Sequence, residues 1–327
     1  MSYRTREALL GSLIDYAGTF PPAALPFEDA LKEAAAWRTK GRHPWLMAKM
    51  ALPLADLKKI NPRLLAESGA DGSAWLFTAL GTPAPSASEL GRQVEWDVRE
   101  LLHCNQKGRN ASIRFSIISY ETKLPADLVS AATADEAYPQ LKTVLDRFAH
   151  LTSGAVDLFF ELGWDGDWKR SLRVISTSLS DWADNQGHGD LVPGIKIRTG
   201  GKYVPTPAEV SEVVVACTGG GLRFKATQGL HHALTRKGAL GFINVFGALT
   251  LSQVLGGESF GRDEVEACLA STSADDFHFE DKRFGWRDFE IDIEAIEAAR
   301  ARHGGTFGSC SLEEPDQELI EFFRGGK

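Results

Sequence analysis

At 327 residues, with 44 acidic side chains against 36 Lys and Arg, the chain carries a net charge of −8 and an isoelectric point near 5.6. That balance offers no basic stripe to hold a phosphodiester backbone, so nucleic acid is not an expected partner. No apolar run approaches the ~18 residues of a membrane span, and the opening residues show no signal-peptide pattern. Cys104, Cys217, Cys268 and Cys310 lie far apart without a C-x-x-C, which fits the reduced thiols of a cytoplasmic protein.

Taken in order, the pattern predicts a strand over 12–16, a turn-rich segment through Pro21-Pro22, and a helix over 27–39. Further strands are expected at 45–50, 74–80, 112–119 and 156–161, separated by helices at 54–68, 87–106 and 135–151, with another helix at 168–185. The sixth strand holds Lys196 and is followed by a helix opening on Pro205-Thr206-Pro207, since proline suits a first turn. The seventh holds Lys225, and Gly241-Phe242-Ile243-Asn244-Val245 is read as the eighth, leading into a helix to about 255. Eight apolar strands alternating with helices predict an α/β fold of the (β/α)₈ TIM-barrel type over 1–257, with a doubly wound open sheet as competitor. Residues 258–327 read as a C-terminal extension packed on the barrel, with helices at 263–271 and 292–303 flanking an aromatic-rich stretch that includes Phe284, Trp286 and Phe289.

In barrels of this kind active sites form at the carboxyl ends of the strands. Those ends supply Asp15, Lys49, Ser119, Glu161, Lys196, Arg198, Lys225 and Asn244, with Thr199, Gly200, Thr227, His231 and His232 in the loops that follow. Asp15, Glu161, Lys196 and Lys225 are the candidate catalytic groups, and the remainder, Ser119 apart, are candidates for binding substrate. Two lysines on neighbouring strands repel, and burial acts in the same direction, so each is expected to lower the pKa of the other. A neutral amine can attack a carbonyl and form a Schiff base, with Asp15, Glu161 or the second lysine moving the proton.

Ile14-Asp15-Tyr16 with Phe27-Glu28-Asp29-Ala30, Lys196-Ile197-Arg198-Thr199-Gly200, Phe224-Lys225-Ala226-Thr227 and Phe246-Gly247-Ala248 resemble the first, sixth, seventh and eighth strand motifs of deoxyribose-phosphate aldolases. The resemblance implies a class I aldolase barrel in which Lys196 forms the imine, Lys225 tunes it and Asp15 aids proton transfer. On this alignment the family's middle-strand acid has no counterpart within 112–119, and Leu249 stands where the family has serines after the eighth-strand glycine. The K-x-R-T-G-G and F-K-A-T-x-G-L-H-H strings also look like a bacterial family without an assigned activity.

The sequence therefore predicts a Schiff-base lyase acting on a small carbonyl or sugar-derived substrate, one that carries a carboxylate or many hydroxyls. One alternative is a metal-dependent barrel hydrolase or isomerase using Glu161, Asp15 and His231 or His232. Another is a non-catalytic barrel that binds a small anion through Lys196, Arg198 and Lys225. No cofactor is expected, because Gly200-Gly201 and Gly219-Gly220-Gly221 both fail the dinucleotide fingerprint, and no metal is expected, because the adjacent His231 and His232 point apart in an extended chain. Gly308-Ser309-Cys310-Ser311 reads as a loop. A second copy of the chain is the one macromolecular partner left open.

Overall fold

A computed structural model describes residues 4–69, 72–185 and 191–325. Eight parallel strands close on themselves: β1 (Ile14–Tyr16), β2 (Met47–Pro53), β3 (Trp75–Leu80), β4 (Phe115–Lys123), β5 (Asp157–Leu162), β6 (Gly194–Arg198), β7 (Arg223–Thr227) and a last strand, β11 (Phe307–Ser309). β8 (Phe277–Phe279), β9 (Arg283–Trp286) and β10 (Phe289–Asp292) form a separate antiparallel sheet. The predicted TIM barrel is therefore present, with helices between its strands and a helical C-terminal region. Among the described residues no helix is long and apolar enough to cross a membrane.

Local chemistry sets the helix starts. Thr206 accepts a hydrogen bond from the Glu209 amide while Glu209 reaches back to the Thr206 amide, a reciprocal cap on Pro207–Gly219. Asn61, Thr133 and Asp292 cap the helices that follow them in the same side-chain-to-amide manner.

The eighth strand is not where the sequence pattern placed it. Residues 242–245 open a helix, Phe242–Leu255, whose first eleven residues are all buried. A short apolar run reads equally as a core strand or a buried helix, and here the run is long enough for four helical turns. The helix is enclosed on all sides. Phe242 and Phe246 pack on Phe307 with ring centroids 5.7 and 6.0 Å apart, and a Cβ on Gly247 would lie 2.9 Å from the Phe284 ring. Phe284 and Trp286 thus lie within the sheet that covers this helix. The strand that closes the barrel comes from residues 307–309, pairing with β1 on one side and β7 on the other. The expected boundary after residue 257 accordingly divides the barrel itself.

Two register shifts shape the interior. Ile14 pairs with Met47 but Asp15 with Lys49, leaving Ala48 as an extra residue in β2. Phe77 pairs with Ile117 but Thr78 with Ser119, leaving Ile118 extra in β4. Each bulge inverts the alternation beyond it, turning Lys49 in β2 and Ser119 and Glu121 in β4 toward the barrel axis.

A chain ending at residue 257 would leave the edges of β1 and β7 unpaired. We expect it to show no cooperative melt by near-ultraviolet circular dichroism where the full chain shows one; a cooperative melt from 1–257 would reinstate the boundary.

Candidate active site

The alternating faces of β6 and β7 send Lys196 and Lys225 to the same interior, where they stand opposite one another in register. Between them lies Glu121 from β4. Its Oε2 is 2.5 Å from Lys196 Nζ and its Oε1 is 2.6 Å from Lys225 Nζ. Glu161 of β5 is 2.9 Å from Lys196 and 2.8 Å from Arg198 Nε. On the other flank Lys225 donates to Asp15, which also accepts from Thr78 at 2.7 Å and lies 3.6 Å from Lys49. The result is one line of alternating charge through the barrel: Lys49, Asp15, Lys225, Glu121, Lys196, Glu161, Arg198.

This line overturns the expected pKa pattern. Burial pushes both lysines down, but for Lys196 the charges of Glu121 and Glu161, and for Lys225 those of Asp15 and Glu121, outweigh it and raise them above an ordinary lysine. The two lysines are bridged by a carboxylate rather than left to repel. Burial likewise raises the carboxyls, and their ammonium neighbours more than offset it, holding Glu121 and Glu161 low and Asp15 at about 2. Lys49 behaves in the opposite way: burial pushes it down, and Asp15, with the more distant Asp157 and Glu121, does not offset it.

A cavity of about 430 Å³ opens over this centre. Asp15, Glu121, Lys196, Arg198, Lys225, Thr227 and His231 line it, together with Phe20, Pro21, Pro22, Gln228 and Cys310. Lys225 is 1% exposed and Lys196 4%, so Lys196 is the amine nearer to entering solute. Of the predicted catalytic groups, Asp15, Glu161, Lys196 and Lys225 are all drawn into one connected cluster, and Arg198, Thr227 and His231 stand at its mouth.

Other predicted residues are placed elsewhere. Lys49 lies at the far end of the charge line and lines a cavity at the amino ends of the strands. Asn244 is buried in its helix, accepting from the Thr235 amide at 2.8 Å and donating to the carbonyls of Cys268 and Ser271 at 2.7 and 2.8 Å. It fastens the segment after β7 to its neighbours and does not reach the site. Thr199 bonds to the Thr227 and Gln228 carbonyls. Gly200 lets the two loops touch, since a Cβ there would lie 2.8 Å from Gly229 Cα, while Gly229 itself has φ +83°. His231 and His232 turn to Glu314 and Glu318 of the C-terminal helix Glu313–Gly325, at 2.9 and 3.1 Å. Among the described residues no three His, Cys, Asp or Glu side chains gather to hold a metal, and Asp15 and Glu161 are each engaged by lysines.

Glu121 is the residue that the sequence reading missed. The strand was ended at Ser119, although no turn residue appears before Pro125, and the bulge at Ile118 hides the parity that points Glu121 inward. Gly308-Ser309-Cys310-Ser311, read as a loop, instead begins within β11, and Gly308 and Cys310 line the cavity. Serines do follow the eighth-strand glycine, Gly308, which corrects the expectation drawn from Leu249.

No family model matches the chain, and no curated protein matches it. Two solved structures of a provisionally named deoxyribose-phosphate aldolase from Toxoplasma gondii ME49 are similar to it. One, an apo form, has 11% identity and a TM-score of 0.47, covering 99% of this chain and 98% of its own. The other has 10% identity and a TM-score of 0.48, covering 99% and 97%. At that distance the likeness bears on neither reaction nor substrate.

Removing Asp15 leaves Lys225 and Lys49 buried beside a missing charge, so Asp15→Ala should cost about 3–5 kcal/mol in urea unfolding. The Asp15 carboxyl is held at about 2 against an ordinary 3.8. A depressed carboxyl contributes stability that is present above pH ~4 and lost as pH falls toward ~2, on the order of 2 kcal/mol. A stability curve flat from pH 5 to pH 2 would contradict this assignment.

Proposed function

We propose that this barrel is a class I aldolase-type lyase in which Lys196 forms a Schiff base with a small carbonyl substrate. The observation that carries the reading is Glu121, one carboxylate hydrogen-bonded to two lysines at the floor of a solute-sized cavity. Because Lys196 rests as an ammonium, attack begins with its proton passing to Glu121 or Glu161, both within hydrogen-bond distance. The amine then adds to the carbonyl carbon. The resulting hydroxyl takes a proton back from the carboxylic acid and leaves as water, giving the iminium. Glu121 or Glu161, a carboxylate again once water has left, then takes the proton of the hydroxyl on the β carbon, while the iminium withdraws the electron pair of the Cα–Cβ bond, which breaks to release an aldehyde and an enamine. Lys225, held between Asp15 and Glu121, is placed to return a proton to the enamine carbon before water reverses the imine.

Charge counting favours an anionic substrate. Four cations alternate with three carboxylates along the line; the three buried lysines balance the carboxylates, and the charge in excess falls on Arg198. Arg198, half-exposed at the mouth, offers a planar fork suited to a carboxylate. Gly308 and Cys310 line the cavity but Ser309 and Ser311 do not, and the helix that follows carries Glu313, Glu314 and Asp316 in its first turn, which opposes a phosphate dianion there. A carbonyl compound bearing a carboxylate fits best.

Incubation with borohydride and a panel of small aldehydes and ketoacids should leave a reduced adduct on the peptide containing Lys196. Lys196→Arg should abolish it, and Lys225→Met should slow it by an order of magnitude or more, about the scale of one general acid–base group. An adduct on Lys225 would exchange the two roles, and no adduct from any carbonyl would leave the anion-binding alternative in its place.

The pH dependence tests the proton hand-off. Lys196 is raised, so its neutral fraction and the trapping rate climb as pH rises through the neutral range. Glu161→Gln removes one carboxylate that favours the ammonium and should move the profile to lower pH by about one unit; a move to higher pH would refute the assignment of Glu161.

A further inference from the structure

The opposite mouth of the barrel holds a second cavity, of about 670 Å³, lined by Ser12, Ala48, Lys49, Leu76, Ile118 and Arg300 among others. Both bulged residues, Ala48 and Ile118, face it, so the two register shifts lie at its wall. Bulges recur where a strand must re-aim a side chain at a site. The side chain re-aimed in β2 is Lys49, nine-tenths buried, whose one carboxylate partner is 3.6 Å away and already taken by Lys225 and Thr78.

Arg300, from the helix Ile293–His303, lines this cavity as well, as does the exposed Arg4. Arg300 donates to the carbonyls of Gly305 at 2.7 Å and Gly11 at 3.0 Å and lies over the Phe246 ring. Among the described residues no carboxylate pairs with it, and a guanidinium carries more donors than two carbonyls take up. Desolvation pushes Arg300 down to about 10, and burial that its carboxylate neighbours do not offset pushes Lys49 below an ordinary lysine. Glu7 and Glu297 also line the cavity, but both are exposed, where solvent and salt screen them.

We propose that this amino-end cavity binds a small oxyanion, a carboxylate or inorganic phosphate, between Lys49 and Arg300. Such a ligand supplies the negative charge that the line of alternating ions lacks at this end. It would bind on the face opposite to the reacting carbonyl, and the two sites would communicate through Asp15, the carboxylate that Lys49 and Lys225 share.

Titration of the full chain with inorganic phosphate, and separately with acetate, followed by calorimetry and by melting temperature, tests the site. Wild type and Arg198→Gln should bind at least one of the two anions saturably, whereas Lys49→Met should bind at least tenfold more weakly. Ala301→Glu places a carboxylate at the cavity wall without touching the charge line, and should weaken binding similarly even if Lys49→Met fails to fold. Unchanged affinity in Ala301→Glu, loss of binding in Arg198→Gln, or no saturable binding of either anion by wild type would each overturn the proposal. The Arg198→Gln outcome would assign the anion to the catalytic mouth, and it leaves the reading of Lys196 intact.

Discussion

Glu121 is the group on which the interior depends. Two lysines on adjacent strands, each almost wholly out of water, can remain charged only because one carboxylate bridges them. Asp15 and Glu161 extend that bridge in both directions, and every strand contributing to it is fixed in register by its neighbour. A hydrophobic filling would be easier to fold, since replacing buried ions by packed apolar groups is often neutral or stabilising. The retention of so costly an arrangement beside a cavity is what turns a structural observation into a chemical one.

The same bridge constrains chemistry. A lysine flanked by carboxylates is held as an ammonium and is a weak acid as well as a poor nucleophile at rest, so under the proposed reading its reactivity is gained only when a carboxylate takes up the proton. Arg198 takes part through Glu161, which it shares with Lys196, instead of acting directly on the amine as a repelling charge. The line therefore behaves as a set of coupled titrating groups, whose apparent pKa values belong to the cluster rather than to one member.

How much of this was legible in the sequence follows from periodicity. Seven barrel strands and the lysines on β6 and β7 could be read because alternation and flanking glycines mark them locally. The eighth strand could not, since β11 is three residues long with a glycine at its centre, whereas the run at 242–252 is apolar enough to imitate a core strand. Asn244, counted as a site residue on that basis, belongs to the packing of the helix. Glu121 was missed and Lys49 misplaced because β4 and β2 run on to Lys123 and Pro53, past the ends read for them, and each holds a bulge. A bulge is a pairing property between two strands, and nothing in one strand's own residues reveals that an extra one has been inserted.

The place of β11 also affects how the chain folds. β1 is the first barrel strand in chain order, yet its outer neighbour, residues 307–309, is the last. Loop closure over nearly the whole chain has to precede that pairing, a topology of high contact order that slows folding. Until then Lys225 and Asp15 lie on opposite sides of an open seam. The barrel is thus most vulnerable to aggregation before β11 docks, and that docking is coupled to the assembly of its charged interior.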